Sequence, residues 1–113
     1  MKKIIFLNCI LLSFLFSQKS DLKNVKVLEF TQKRDLVKYM KNVVSKELGV
    51  KCSFCHVMTD YASDEKDHKI VAREMMVMTM NANKTMKDLN FHDISCWVCH
   101  RGNKHPDHPP SKK

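Results

Sequence analysis

Cys52-Ser53-Phe54-Cys55-His56 and Cys96-Trp97-Val98-Cys99-His100 are two copies of one five-residue pattern, and nothing else constrains this chain as tightly. Cys-x-x-Cys-His is the attachment sequence for c-type haem. The order matters chemically. Two thiols about one helical turn apart reach the two vinyl groups on one edge of a porphyrin and form thioethers. The histidine that follows lies under the ring, and its imidazole becomes the proximal iron ligand. Four of the five cysteines fall in the two pentapeptides, so the pattern predicts two c-type haems attached through Cys52, Cys55, Cys96 and Cys99. His56 and His100 are the predicted proximal ligands.

Such attachment is completed outside the cytoplasmic membrane in bacteria, and the first residues agree. Lys2 and Lys3 precede an apolar run from Ile4 to Phe16. That run is too short to span a bilayer, which takes ~20 residues as a helix. Its charge, length and polar exit at Ser17-Gln18 read as a secretory signal peptide over residues 1–17, and so as a periplasmic or otherwise exported protein. An uncleaved anchor is the alternative, so membrane association stays open. Cys9 lies inside the run, in a poor context for lipid attachment. Four bare cysteines in an oxidising compartment would pair as disulfides. A histidine after each pair is not something disulfides require.

The formal net charge is +8, of which Lys2 and Lys3 contribute two, leaving +6 after cleavage. Four haem propionates would reduce that to about +2. The basicity is therefore no argument for nucleic acid, and no basic stripe with interleaved aromatics is present. The 113 residues suffice for one domain. A mature chain this small builds a limited core and needs a staple, a role two covalently held macrocycles fill.

The expected organisation is a signal peptide at 1–17, an arm at 18–30, a dihaem domain at 31–103 and a Pro- and Lys-rich tail at 104–113. Val25 and Val27 alternate with polar residues, a weak sign of extended chain. Thr31 is the expected N-cap of a helix over Gln32 to Leu48, ended by Gly49. Leu36, Met40 and Val43 recur along it at helical spacing, with Val37 and Val44 beside them. Ser63 or Asp64 is expected to cap a second helix from about Glu65 to Leu89. Val71, Met75, Met78, Ala82, Met86 and Leu89 form one stripe on that helix, with Met76 and Met80 facing away. Each half thus has a Met-bearing helix, a connector and a pentapeptide. The fold expected is mainly α, a small dihaem c-type cytochrome with helices packed around its haems and little or no sheet.

A haem with one histidine has one iron position left, and its occupant separates carrier from catalyst. For the first site Met40 is the strongest candidate, twelve residues before Cys52 on the helix's apolar side. For the second, Met75 is preferred, twenty-one residues before Cys96, with Met78 next at eighteen. The remaining methionines suit packing around a pocket. His92, near the second pentapeptide, is a weaker candidate. His68 is expected to face solvent, and His105 and His108 belong to the tail. Arg73, Arg101 and nearby lysines are candidates for pairing with propionates.

Several stretches together resemble the cytochrome c subunit of photosynthetic reaction centres. They are Asn24-Val25-Lys26-Val27-Leu28, the helix through Met40, Leu48-Gly49-Val50-Lys51-Cys52, Ala62-Ser63-Asp64-Glu65-Lys66, Val71-Ala72-Arg73-Glu74-Met75 and Cys99-His100-Arg101-Gly102. The resemblance covers roughly residues 24–103. It implies Met40 as sixth ligand of the first haem and Met75 of the second, with the cysteines and histidines in the roles given above. That family usually carries four haems in two pairs, whereas this chain has one pair, as a stand-alone two-haem relative would. The function expected is an exported electron carrier between redox donor and acceptor proteins, not an enzyme. A small peroxidase-like haem enzyme is the alternative and would need an open iron position. A zinc module built on the four cysteines is the third reading.

Overall fold

The computed structural model describes residues 22–106, so the expected signal peptide and residues 107–113 of the tail lie outside the described residues. Within them the fold is helical, with no strand and one isolated bridge between Val57 and Asp60. The expected extended arm forms no strand. Asn24 instead takes a left-handed φ of 60°, and the arm is tied down by side chains.

The first helical rod runs as α1 (Lys33–Tyr39), a π-helical turn π1 (Met40–Val44) and α2 (Ser45–Leu48). Thr31 does not cap it. Gln32 stands at the cap with extended backbone and no side-chain hydrogen bond, and Asp35 supplies negative charge to the first turn. Nothing in the residue pattern marks the π turn. Ser45 donates its backbone N–H to Met40 O, five residues back. Within this turn Val44 is buried and Val43 beside it is half-buried. Val44, 8% exposed, is the one buried hydrophobic side chain among the described residues.

Gly49 ends the rod as expected, at φ +61°. Its N–H reaches Lys46 O and the N–H of Val50 reaches Ser45 O at 3.1 Å, the double closure of a Schellman motif. After a short turn, α3 (Cys52–Cys55) holds the first pentapeptide.

The long helix α4 spans Asp67–Asp88, starting two residues later than expected. Lys66 occupies the cap. Ser63 turns its hydroxyl to the N–H of Glu65 at 3.2 Å, one step before the helix. Asp64 is engaged by cations and does not cap. The C-terminus repeats the closure at the first rod's end. Asn90, at φ 59°, stands where Gly49 stood, and Phe91 N–H reaches Met86 O at 2.8 Å. Asparagine is among the few residues that take this conformation without a large penalty. The connector after it is clamped back onto α4. Asn83 donates to Ile94 O at 2.9 Å and accepts from Ile94 N–H at 2.7 Å. That pair delivers the chain to α5 (Trp97–His100) and the second pentapeptide.

The stripe predicted on α4 is not buried against protein. Val71, Met75, Met78 and Leu89 are exposed, Met78 by 56%, while Ala82 and Met86 of the stripe, and Met76 off it, are half-buried. The side that meets protein carries Lys69 and Arg73, which hold the arm and the 61–63 loop. Among the described residues two apolar surfaces therefore remain exposed, one along α4 and one beside the pentapeptides at Trp97 and Val98.

Candidate functional site

Both pentapeptides fold the same way. Each makes a single helical turn whose closing bond runs from the histidine N–H to the first cysteine's carbonyl, His56 to Cys52 and His100 to Cys96, both at 2.9 Å. That turn brings cysteines three apart onto one side, as two adjacent thioethers need. The chain then diverges. His56 leaves in extended conformation, whereas His100 stays helical and is followed by Arg101 at φ 48°.

Each imidazole is oriented by a backbone carbonyl. His56 Nδ1 lies 3.0 Å from Tyr61 O, and His100 Nδ1 lies 2.8 Å from Asn103 O. A carbonyl oxygen only accepts, so Nδ1 carries the proton in both rings. The Nε2 lone pair is then left for a metal, the tautomer a ligating histidine adopts. Sequence reading found the histidines but not their carbonyl partners, because a main-chain acceptor leaves no mark in residue identity.

Each turn is held by the opposite half of the chain. The first packs on α4, where Phe54 stacks on His68 with ring centroids 4.1 Å apart and Lys66 Nζ donates to Ser53 O. His68 is thus exposed but also a wall of the first turn. The second turn packs on α2. Glu47 accepts from Trp97 N–H through Oε2 at 2.9 Å, and its own carbonyl accepts from Gly102 N–H at 2.9 Å. Burial pushes the Cys96 thiol up, with Glu47 adding to it. Burial also pushes the Cys55 thiol up, opposed by Lys66. The Tyr39 phenol is raised by burial first, then by Cys96 and Glu47.

Met40 opens the π turn and is half-buried, while Met75 lies on the exposed stripe of α4 with Met78 one turn on. Met80 sits apart from that stripe, on a shallow cleft with Lys26, Val27 and Lys84. Arg73 is engaged within the protein. Its guanidinium holds Asp64 at 2.9 Å and Asn24 O at 3.0 Å, and its side chain is 14% exposed.

Asp64 is the centre of the polar cluster beside the first site. Lys26 (3.0 Å), Lys69 (3.2 Å), Arg73 (2.9 Å) and Asn24 (2.8 Å) all reach its carboxylate. Lys26 foremost, with Lys69, Arg73 and Asn24, holds its carboxyl far below the usual carboxylate range, against an opposing push from burial. Lys69 also donates to the carbonyls of Tyr61 (3.0 Å), Ala62 (2.8 Å) and Ser63 (2.6 Å).

The donor set fits a c-type haem at each turn. It supplies paired sulfurs, a histidine with Nε2 free, and uncovered apolar surface beside them. The cysteines do not converge on a shared metal, since no three His, Cys, Asp or Glu side chains cluster to hold one among the described residues.

A mainly helical chain with two Cys-x-x-Cys-His turns, each presenting a carbonyl-oriented imidazole, has the build of the c-type cytochromes. Residues 17–111 match the family of the photosynthetic reaction centre cytochrome C subunit, and the chain belongs to that family. It is 33% identical over 81 residues to cytochrome c-554 of Chloroflexus aurantiacus, covering 68% of this chain and 20% of that one. It is 37% identical over 86 residues to the photosynthetic reaction center cytochrome c subunit of Thermochromatium tepidum, covering 75% and 20%. The Rubrivivax gelatinosus subunit of the same name is 30% identical over 86 residues, covering 74% and 23%. The match thus spans about a fifth of the length of these relatives. Among the described residues no helix is long and apolar enough to cross a membrane.

Proposed function

We propose that this protein is an exported dihaem electron carrier, with one haem at Cys52–His56 and one at Cys96–His100. A haem at each turn supplies a one-electron couple. The chain's own part is to hold and tune it. Cys52 and Cys55, and Cys96 and Cys99, fix the ring edges. His56 and His100 present Nε2, with Tyr61 O and Asn103 O setting ring orientation and basicity. Met40 and Met75 are the proposed sixth ligands. A soft, neutral thioether stabilises ferrous iron and closes the position a substrate would need.

The observation that carries this reading is the pair of Nδ1-to-carbonyl hydrogen bonds, made in the same sense at both turns. The relatives' names support it, since each is a cytochrome. Its donor and acceptor are proposed to be redox proteins on the outer side of the cytoplasmic membrane.

The test is the visible spectrum and intact mass of protein made by an export-competent host with haem-attachment machinery. A c-type spectrum and a mass increase of two haems, resistant to acid-acetone extraction, are expected. A zinc adduct or a single haem ends the reading. Carbon monoxide binding to both haems of the wild type moves it to the enzyme class.

A further inference from the structure

We propose that Lys69 tunes the first haem site through the carbonyl of Tyr61, making the two otherwise similar sites unequal in potential. This rests on the dihaem reading above.

Tyr61 O is shared. The His56 ring donates to it from Nδ1 at 3.0 Å, and the Lys69 ammonium donates to it at the same distance. A carbonyl oxygen has two lone pairs and serves both donors. The ammonium draws electron density from that oxygen and weakens it as an acceptor for the ring N–H. Less charge is then pushed through the imidazole toward Nε2, and a metal held there sees a poorer donor. A poorer donor favours the ferrous state.

The cation acts directly in the same direction. Lys69 is 9% exposed, so water screens its charge weakly. Asp64 does not cancel it, because the same carboxylate also pairs with Lys26 and Arg73. One negative charge faces three positive ones.

The second site lacks this arrangement. His100 Nδ1 donates to Asn103 O, and among the described residues no ammonium reaches that oxygen. The asymmetry comes from where the chain turns after each pentapeptide. Residues 57–63 loop back under the start of α4, where Lys69 waits. Residues 101–103 close on themselves, with Asn103 N–H returning to His100 O at 2.8 Å. In a protein holding a single electron, the site at Cys52–His56 keeps it. With a haem held at each turn, exchange between the sites would move one electron and would form or break no bond.

The experiment is a spectroelectrochemical titration of the full holoprotein, wild type against Lys69→Met, Lys69→Arg and Arg73→Met. Two haems by mass in each sample are required first, and their absence counts against the dihaem reading, not against Lys69. With two haems present, Lys69→Met should raise the oxidised-to-reduced ratio of one wave about tenfold at fixed potential. That is a downward shift of ~59 mV for a one-electron couple. The other wave should move far less. Lys69→Arg should restore most of the shift. Arg73→Met removes a charge from the same cluster without touching Tyr61 O and should move the wave less than Lys69→Met.

Should Lys69→Met not fold, the wild type still decides. In the ferrous protein the His56 ring N–H, being the weaker hydrogen bond, should resonate upfield of the His100 ring N–H. Equal shifts of both waves, an Arg73→Met effect as large as that of Lys69→Met, or a His56 proton downfield of the His100 proton overturns the proposal.

Discussion

Gly49 and Gly102 touch. A Cβ built on Gly49 would stand 2.0 Å from Gly102 O, closer than any real contact, and Gly49 already holds a left-handed φ of +61°. Gly49 closes the first helical rod and Gly102 follows the second pentapeptide, so this contact joins the two halves. Gly49→Ala should therefore destabilise the holoprotein by about 2 kcal/mol or more, combining left-handed strain with a backbone clash. Thermal unfolding followed in the Soret band measures it. A change below ~0.5 kcal/mol would mean the contact is not maintained in solution.

Met40 and Met75 carry the proposal for the sixth ligands. Met40→Ala should lower the potential of one haem and let it bind carbon monoxide, leaving the other nearly unchanged. Met75→Ala should do the same to the second. Met76→Ala and Met80→Ala should open neither site, although the half-buried Met76 should cost some stability. A silent Met75→Ala together with an open site in Met78→Ala would transfer the role to Met78, one turn along the same exposed stripe.

Asp64 ties acid sensitivity to the cation cluster. Its folded-state pKa lies below the ordinary carboxylate value, chiefly through Lys26. A depressed pKa stabilises the fold above the unfolded value of ~3.9, and that stabilisation is lost as pH falls toward the folded value. Wild type should thus be more stable than Asp64→Asn at pH 7, by an amount that is constant down to about pH 5. The gap should shrink progressively as pH falls below ~4. Chemical denaturation of both proteins across that range measures it, and a gap that widened toward acid would contradict the cluster.

Asn83 holds the connector to the second pentapeptide through two hydrogen bonds to Ile94. Asn83→Leu removes both while keeping the branching and the number of side-chain heavy atoms. Hydrogen exchange across residues 90–95 should quicken, and overall stability should fall by about 1–3 kcal/mol. Unchanged protection in the connector would show that the clamp is redundant.

N-terminal sequencing of the purified protein tests the expected signal segment, whose residues lie outside those described. A start near residue 18 or 19 is expected. Met1 retained in the membrane fraction would indicate an anchor.

The chain's own residue order determined the helical class, the two pentapeptides, the histidines and the Gly49 stop. These are local: a thiol pair one turn apart, a 3.6-residue period and a glycine that tolerates positive φ each act within a few residues. Thr31, Ser63 and Asp64 are good caps by type, yet the helix starts fall one residue or more later, with Gln32 and Lys66 at the caps. Asp64 was drawn off by Lys26, Lys69 and Arg73, two of which lie on the helix it was expected to start. The π turn at Met40, the Asn83 clamp, the Glu47 contact with Trp97 and the carbonyl partners of His56 and His100 needed the tertiary structure. Each depends on segments far apart in sequence, or on a main-chain oxygen that every residue possesses, so residue identity could not point to it. The sequence marked where two equivalent sites would stand. Only the way the chain returns after each one decided that Lys69 lies beside the first alone.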